Sequence, residues 1–155
     1  MLQDQKTAEK QPSPDHQQRQ RWMAQLARLP GAQLESLWDG VDNKPAYTML
    51  RAPETGLVMV RGRAGGTGTK FNLGEMTVTR CVVRLANGYQ GVSYVSGRDK
   101  RQAELAAVFD GLLQAGDLDA ETLTPATEEA AQRDAARAGK VAATKVDFFT
   151  MVRGE

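Results

Sequence analysis

Hydrophobic positions recur at helical spacing near the start of the chain. Trp22, Leu26 and Leu29 stand at i, i+4 and i+7, which predicts one amphipathic helix. Ser13-Pro14 is a typical helix start, with a capping hydroxyl followed by proline in the first turn, and Pro30-Gly31 predicts the end. A second short helix is predicted directly after it, with its apolar stripe on Leu34, Leu37, Trp38 and Val41.

From Tyr47 onward the pattern changes to β-prone segments separated by turn residues. Residues 47–52 and 57–64 are predicted to form a hairpin around Pro53-Glu54-Thr55-Gly56. A longer strand within residues 71–85, interrupted or bulged near Gly74, comes next. Asn87-Gly88 then predicts a two-residue type I′ turn into residues 89–96. These segments together predict an antiparallel meander of about four strands.

The Asn87-Gly88 turn also predicts a register. If Ala86 pairs with Tyr89, Cys81 lies opposite Tyr94 and the strands acquire one apolar and one mixed face. Cys81 is therefore predicted to be a buried, inert thiol. The predicted apolar face consists of Cys81, Val83, Val92 and Tyr94, and the mixed face of Arg80, Val82, Arg84, Ser93 and Val95.

Helical spacing returns after the strands. Leu105, Phe109 and Leu112 form a second i, i+4, i+7 stripe, and Gly116-Asp117 predicts the end of that helix. Thr124-Pro125 starts a further helix that consists mostly of alanine and charged residues. The order of the elements predicts an α+β fold, an antiparallel sheet with N-terminal and C-terminal helices.

Both ends of the chain depart from this pattern. Residues 1–18 are polar and are predicted to be a disordered tail, which leaves residues 19–155 as a single α+β domain. Segment 146–153 is abruptly apolar. It is either the last strand of the domain's own sheet or a segment that docks onto another chain. Adjacent aromatic rings would point to opposite faces of a strand, which favours docking through Phe148, Phe149 and Met151.

Composition excludes several classes of function. The chain has 155 residues with 20 basic and 19 acidic side chains, so its net charge of +1 argues against a duplex nucleic-acid binder. One cysteine and one histidine cannot supply a zinc finger, and no catalytic residue or metal site is predicted. No apolar stretch is long enough to cross a membrane and no signal peptide is evident. We therefore expect a cytoplasmic protein.

The glycine-rich segment Gly65-Gly66-Thr67-Gly68 invites comparison with a phosphate-binding loop. A Walker A motif needs lysine directly after its last glycine and then a helix. Here Thr69 separates Gly68 from Lys70, and a predicted strand follows. We interpret the segment as a connection between strands.

Three cations crowd the start of the third predicted helix: Arg98, Lys100 and Arg101. Cations beside free N–H groups suit an anion such as phosphate, and Arg80 with Arg84 would extend this basic surface. Alternatively, the side chains point into water or pair with nearby carboxylates. The sequence leaves both interpretations open.

Several segments closely resemble the PhnG family, the G subunits of the bacterial carbon–phosphorus lyase system. The resemblance covers roughly residues 19–155, and its most specific parts are the GRDK segment and the terminal VDFFTMVRG run. The segments that carry it are Glu54-Thr55-Gly56-Leu57-Val58, Gly65-Gly66-Thr67-Gly68, Thr79-Arg80, Val83-Arg84-Leu85, Gly97-Arg98-Asp99-Lys100, Ala103-Glu104 and residues 146–154.

This resemblance implies an accessory, non-catalytic subunit in phosphonate catabolism. In that system the G, H, I and L proteins are associated with exchanging the adenine of MgATP for an alkylphosphonate, and the J subunit cleaves the carbon–phosphorus bond. It implies partners of the H, I and J types and of the ATP-binding-cassette type, with two copies of this chain per complex. MgATP would be a substrate of the complex, and no cofactor is expected on this chain.

Two other classes remain open at this point. One is a free-standing small nucleotide- or phosphate-binding enzyme that uses the glycine-rich loop and the basic helix start. The other is a homodimeric structural domain.

Overall fold

The structure is a computed structural model that describes residues 14–63, 67–144 and 146. Helices α1 (Pro14–Arg28) and α2 (Gly31–Asp39) precede strands β1 (Tyr47–Arg63), β2 (Lys70–Leu85) and β3 (Gln90–Ser96). Helix α3 (Lys100–Ala115), a short 3-10 helix (Ala120–Leu123) and helix α4 (Thr124–Ala143) follow. The α+β prediction, with helices at both ends, is confirmed.

Helix α1 begins at Pro14, as the Ser13-Pro14 signal predicts. Residues 14–18, which composition placed in the polar tail, are therefore helical. The rest of that tail, residues 1–13, lies outside the described residues. The predicted stripe of α1 is buried: Trp22, Leu26 and Leu29 expose less than a tenth of their surface.

The described sheet has three antiparallel strands in the order β1-β2-β3, one fewer than expected. Pro53-Glu54-Thr55-Gly56 does not turn the chain, since β1 continues through it with irregular pairing between Met49 and Glu54. Proline lacks the N–H that a central strand must donate, but β1 is an edge strand and tolerates it. The bulge predicted near Gly74 is present, because Val60 pairs with Gly74 and Arg61 with Asn72, leaving Leu73 unpaired.

The predicted register of β2 and β3 is wrong by one residue. Val83 lies opposite Gly91 and Cys81 opposite Ser93. Leu85 donates its N–H to the Tyr89 carbonyl, which leaves a three-residue loop.

Within that loop only Gly88 has positive φ (93°), whereas a type I′ turn needs positive φ at Asn87 as well. The single left-handed glycine is typical of a three-residue loop with a bulge. The one-residue slip exchanges the faces of β3. As a result Tyr94 is 53% exposed, whereas Ser93 and Val95 are buried beside Cys81 and Val83.

Helix α3 is the centre of the core. It packs against the sheet and against helices α1 and α2, so nearly every side chain from Ala103 to Leu113 is buried. Gly91 of β3 allows the closest approach, because a Cβ there would overlap the carbonyl oxygen of Ala107. Helix α4 buries only Ala130 among its described side chains. We call the sheet face toward α3 the inner face and the opposite face the outer face.

Candidate interaction surface

The β1–β2 hairpin extends well beyond the rest of the fold. The β2–β3 ladder ends where Val78 pairs with Ser96, so among the described residues β2 has no second neighbouring strand before that point. Residues 57–63 and 70–77 therefore form a two-stranded ribbon, which we call the arm. Every described side chain of the arm is exposed or only half-buried. The remainder of the described chain is called the body.

The arm carries large apolar side chains in contact with solvent. Leu57, Met59 and Leu73 expose 63%, 59% and 65% of their surface. Isolated exposed apolar residues are ordinary, but a group along one ribbon is typical of an interaction surface. The other large apolar residues that the arm exposes are Val58, Phe71 and Met76.

The register assigns these side chains to two faces. Val58 pairs with Met76 and Gly62 with Phe71, so the outer face of the arm is apolar. Leu57 and Met59 alternate onto the inner face. A Cβ built on Gly62 would lie 3.6 Å from Cδ2 of Leu73, so the bulged leucine adds to the outer face.

The tip of the arm is basic. Arg61 pairs with Asn72 and Arg63 with Lys70, so three cations share the inner face beyond Met59. Arg63 also donates a 2.8 Å hydrogen bond to the Gly68 carbonyl. Since Arg63 and Lys70 are paired, the glycine-rich segment connects β1 and β2, as expected. Its residues 64–66 lie outside the described residues.

Three of the segments on which the family resemblance rests lie together where the arm joins the body. On the inner face, the hydroxyls of Thr55 and Thr79 are 3.0 Å apart, and Thr79 donates to the Gly97 carbonyl at 2.8 Å. On the outer face, Arg80 forms a 3.0 Å ion pair with Glu54. Hydrogen bonds with Tyr94 and Glu54 raise the pKa of Arg80. These contacts fix the direction in which the arm leaves the body.

The predicted anion site is only partly assembled. Arg101 contacts Glu35 of α2 at 2.6 Å and Glu104 at 3.2 Å, and hydrogen bonding to Glu35 raises the pKa of Arg101. The same contact lowers the pKa of Glu35. For Arg101 the structure therefore bears out the alternative of pairing with nearby carboxylates.

The other four cations of that prediction are spread out. Arg98 and Lys100 are exposed, and no ion pair joins them to another described residue. Arg80 is paired with Glu54, and Arg84 lies about 13 Å further along β2. Asp99 caps α3 by accepting the N–H of Gln102 at 3.0 Å. Anion binding by this group stays a prediction.

Cys81 is buried, as predicted. Its thiol is inaccessible to solvent and lies 3.4 Å from the carbonyl oxygen of Arg51. Burial raises the pKa of Cys81 to about 11. The neutral thiol is therefore the form present at neutral pH, and a thiol held in that form is a poor nucleophile.

Sequence reasoning missed Asp110, a fully buried carboxylate on α3. It accepts hydrogen bonds from Arg19 at 2.8 Å, from the indole N–H of Trp22 at 2.8 Å and from the backbone N–H of Val92 at 2.9 Å. Gln114 is a fourth donor residue, at 3.1 Å. Asp110 joins α1, α3 and β3 through these bonds. The available signal was one acidic residue inside the otherwise apolar run 105–113.

Some predicted features lie beyond what the structure describes. Phe148, Phe149 and Met151 of the terminal segment are outside the described residues. Within the described ranges, no cluster of His, Cys, Asp and Glu side chains could hold a metal ion. No helix in those ranges is long and apolar enough to cross a membrane.

Comparison with known proteins gives two findings. The model of a family described as "Phosphonate metabolism protein PhnG" matches residues 17–154. A protein of Rhizobium meliloti (strain 1021) is 49% identical over 141 residues, which cover 89% of this chain and 90% of that protein. Its name is alpha-D-ribose 1-methylphosphonate 5-triphosphate synthase subunit PhnG.

Proposed function

Because this chain belongs to the PhnG family of phosphonate metabolism proteins, we propose that it is an accessory, non-catalytic subunit of a ribose 1-alkylphosphonate 5-triphosphate synthase. The observation that carries the proposal is the 49% identity, over nearly the full length of both chains, to a named subunit of such a synthase. The complex exchanges the adenine of MgATP for an alkylphosphonate. This chain contributes binding surface, and its partners contribute the reacting groups.

The proposal includes specific partners. They are the H, I and J subunits and an ATP-binding-cassette-type protein, with two copies of this chain per complex, assembled in the cytoplasm. MgATP is a substrate of the complex, and this chain holds no cofactor of its own. The apolar arm supports a role in assembly, since its exposed leucine, methionine and phenylalanine side chains are typical of surfaces that a partner covers.

Reconstitution with purified subunits tests this role. MgATP and methylphosphonate are incubated with the H, I and L proteins, with or without this chain, and released adenine is measured. We expect release only when this chain is present with its partners, and none from this chain alone. Sustained release by this chain alone would support the free-standing enzyme instead. Full release without it would show that the synthase does not need it.

The basic start of α3 is tested in the same assay. Lys100→Ala should leave assembly intact and lower adenine release if the cation contacts a substrate phosphate or a partner carboxylate. Lys140→Ala is a matched control, because Lys140 is an exposed lysine near the end of α4. Equal activity of the two variants and the wild type would indicate a solvated helix end.

The terminal segment has its own test. Deletion of residues 146–155 should leave the melting temperature nearly unchanged and abolish co-purification with the I subunit, because interface aromatics such as Phe148 and Phe149 often contribute about 2 kcal/mol or more to binding. If the deletion unfolds the chain, the segment is part of the domain's own core.

A further inference from the structure

The arm combines properties that a free surface rarely has together. A two-stranded ribbon is marginally stable by itself, yet this ribbon extends past β3 and α3 with its apolar side chains in water. Apolar residues stand on both of its faces near the body. A surface that touched only one face would leave the other uncovered. The shape therefore fits a cleft that contacts the arm on two sides.

Unlike its apolar residues, the charged residues of the arm lie on one face only. Arg61, Arg63 and Lys70 share the inner face at the tip, and Glu75, nearer the body, is the arm's only acidic residue among those described. The whole chain has a net charge of only +1, so positive charge is concentrated on the arm. A partner cleft that accepts this tip needs carboxylates at the positions of the three cationic groups.

A second copy of this chain would not supply these carboxylates. Two arms packed through their outer faces would leave the inner-face cations of both copies in water. Two arms packed through their inner faces would bring six cations together with only two described acidic side chains, Glu75 of each copy. Like charges brought together at an interface oppose association. The charge pattern favours a chain of different sequence.

From these observations we propose that the arm inserts into an apolar cleft of a different subunit of the synthase, with acidic residues of that subunit around the three cations at the tip. The apolar outer face supplies most of the binding free energy, and the cationic inner face sets the orientation and accelerates association. This inference rests on the proposed function, because that function supplies the other subunits.

Two arm variants test the two parts of the surface. Arg61→Glu with Lys70→Glu reverses the tip charge, and Leu73→Thr with Met76→Thr removes apolar area while keeping β-prone residues. The control is Arg137→Glu with Lys140→Glu, which reverses two exposed charges on α4. Binding to the purified H, I and J subunits is measured for each chain, with circular dichroism and melting temperature to verify folding.

We expect each arm variant to weaken binding to one of these subunits at least tenfold and the control less than twofold. Added salt should weaken the binding of the wild type more than that of the tip variant, since screening removes an attraction that the variant lacks. If the wild type binds and both arm variants bind equally well, the arm inference is wrong and the proposed function stands. If the wild type binds none of the subunits, the proposed function itself fails.

Analytical ultracentrifugation tests whether a second copy of this chain covers the arm. A wild-type dimer that both arm variants dissociate would show that a second copy covers the arm, which would overturn the inference. A wild type that sediments as a monomer in the absence of partners agrees with it. The deletion of residues 57–76, bridged by Asn-Gly, should behave as the stronger version of both variants while keeping the body folded.

Discussion

Strand β2 has two halves that both carry apolar side chains and differ in burial. From Thr79 to Leu85 the inner-face side chains are buried because α3 covers them, and the residues between them are half-buried or exposed. Residues 70–76 are exposed throughout, although Phe71, Leu73 and Met76 are as apolar as Val83. The pattern of side chains along a strand shows which residues can be buried, and the elements packed against the strand determine which ones are. In the arm that cover is left to another molecule.

The comparison predicts that substitutions at buried positions of the body change stability and substitutions in the arm do not. Asp110→Ala should have the largest effect, lowering the free energy of unfolding by about 3 to 4 kcal/mol. It leaves the indole N–H of Trp22 and the backbone N–H of Val92 without an acceptor and removes the partner of Arg19. Urea denaturation measures this. Asp134→Ala, at an exposed position of α4, should stay within about 0.5 kcal/mol, and equal effects of the two would contradict the buried network.

Two strand glycines make a closer pair. Gly91→Ala should destabilise by about 2 to 3 kcal/mol, because the added methyl group overlaps the backbone of α3 at Ala107. Gly74→Ala in the arm should be neutral or slightly stabilising, since no atom of the described residues lies within 4 Å of the new Cβ. Thermal unfolding of both variants tests the difference. A large loss at Gly74 would mean that the arm is packed against something in the isolated chain.

The stability of the body should also depend on pH through Cys81. Its pKa is raised in the folded chain, so the folded state retains a proton that the unfolded state releases above about pH 8.5. The stabilisation that comes from the protonated thiol is complete below that pH and is lost as pH rises toward 11. Between pH 8.5 and 9.5 the wild type should lose about 1 kcal/mol more than Cys81→Ala. Parallel pH profiles, or rapid thiol labelling of the folded protein, would show an accessible thiol.

Leu73→Thr should have the smallest effect on the isolated chain, within about 0.5 kcal/mol, because the side chain is 65% exposed and the new residue is β-prone. Chemical denaturation of the chain alone measures it. A loss above 1 kcal/mol would remove the distinction between the arm and the body. The same variant is expected to weaken partner binding. Stability should therefore depend on the body, and partner binding on the arm.

The sequence alone was sufficient for features that depend on local spacing. The stripes Trp22-Leu26-Leu29 and Leu105-Phe109-Leu112, the glycine that ends α3 at residue 116 and the bulge near Gly74 are all present. Helix periodicity and capping act within a few residues, so they can be read from a few residues. The family was likewise evident from short segments, and comparison confirms it.

Other features were decided only when distant segments met. Asn87-Gly88 is compatible with a two-residue or a three-residue turn. Only the register of the three-residue turn buries Ser93 and Val95 against α3. Pro53 is part of a strand because β1 is an edge, which is a property of the sheet and not of the tetrapeptide. Arg101 pairs with Glu35 because α2 lies beside α3, and Asp110 is buried because α1 covers it. Sequence fixes which side chains can pack or pair, and their partners are set by contacts between residues far apart in the chain, which no local pattern contains.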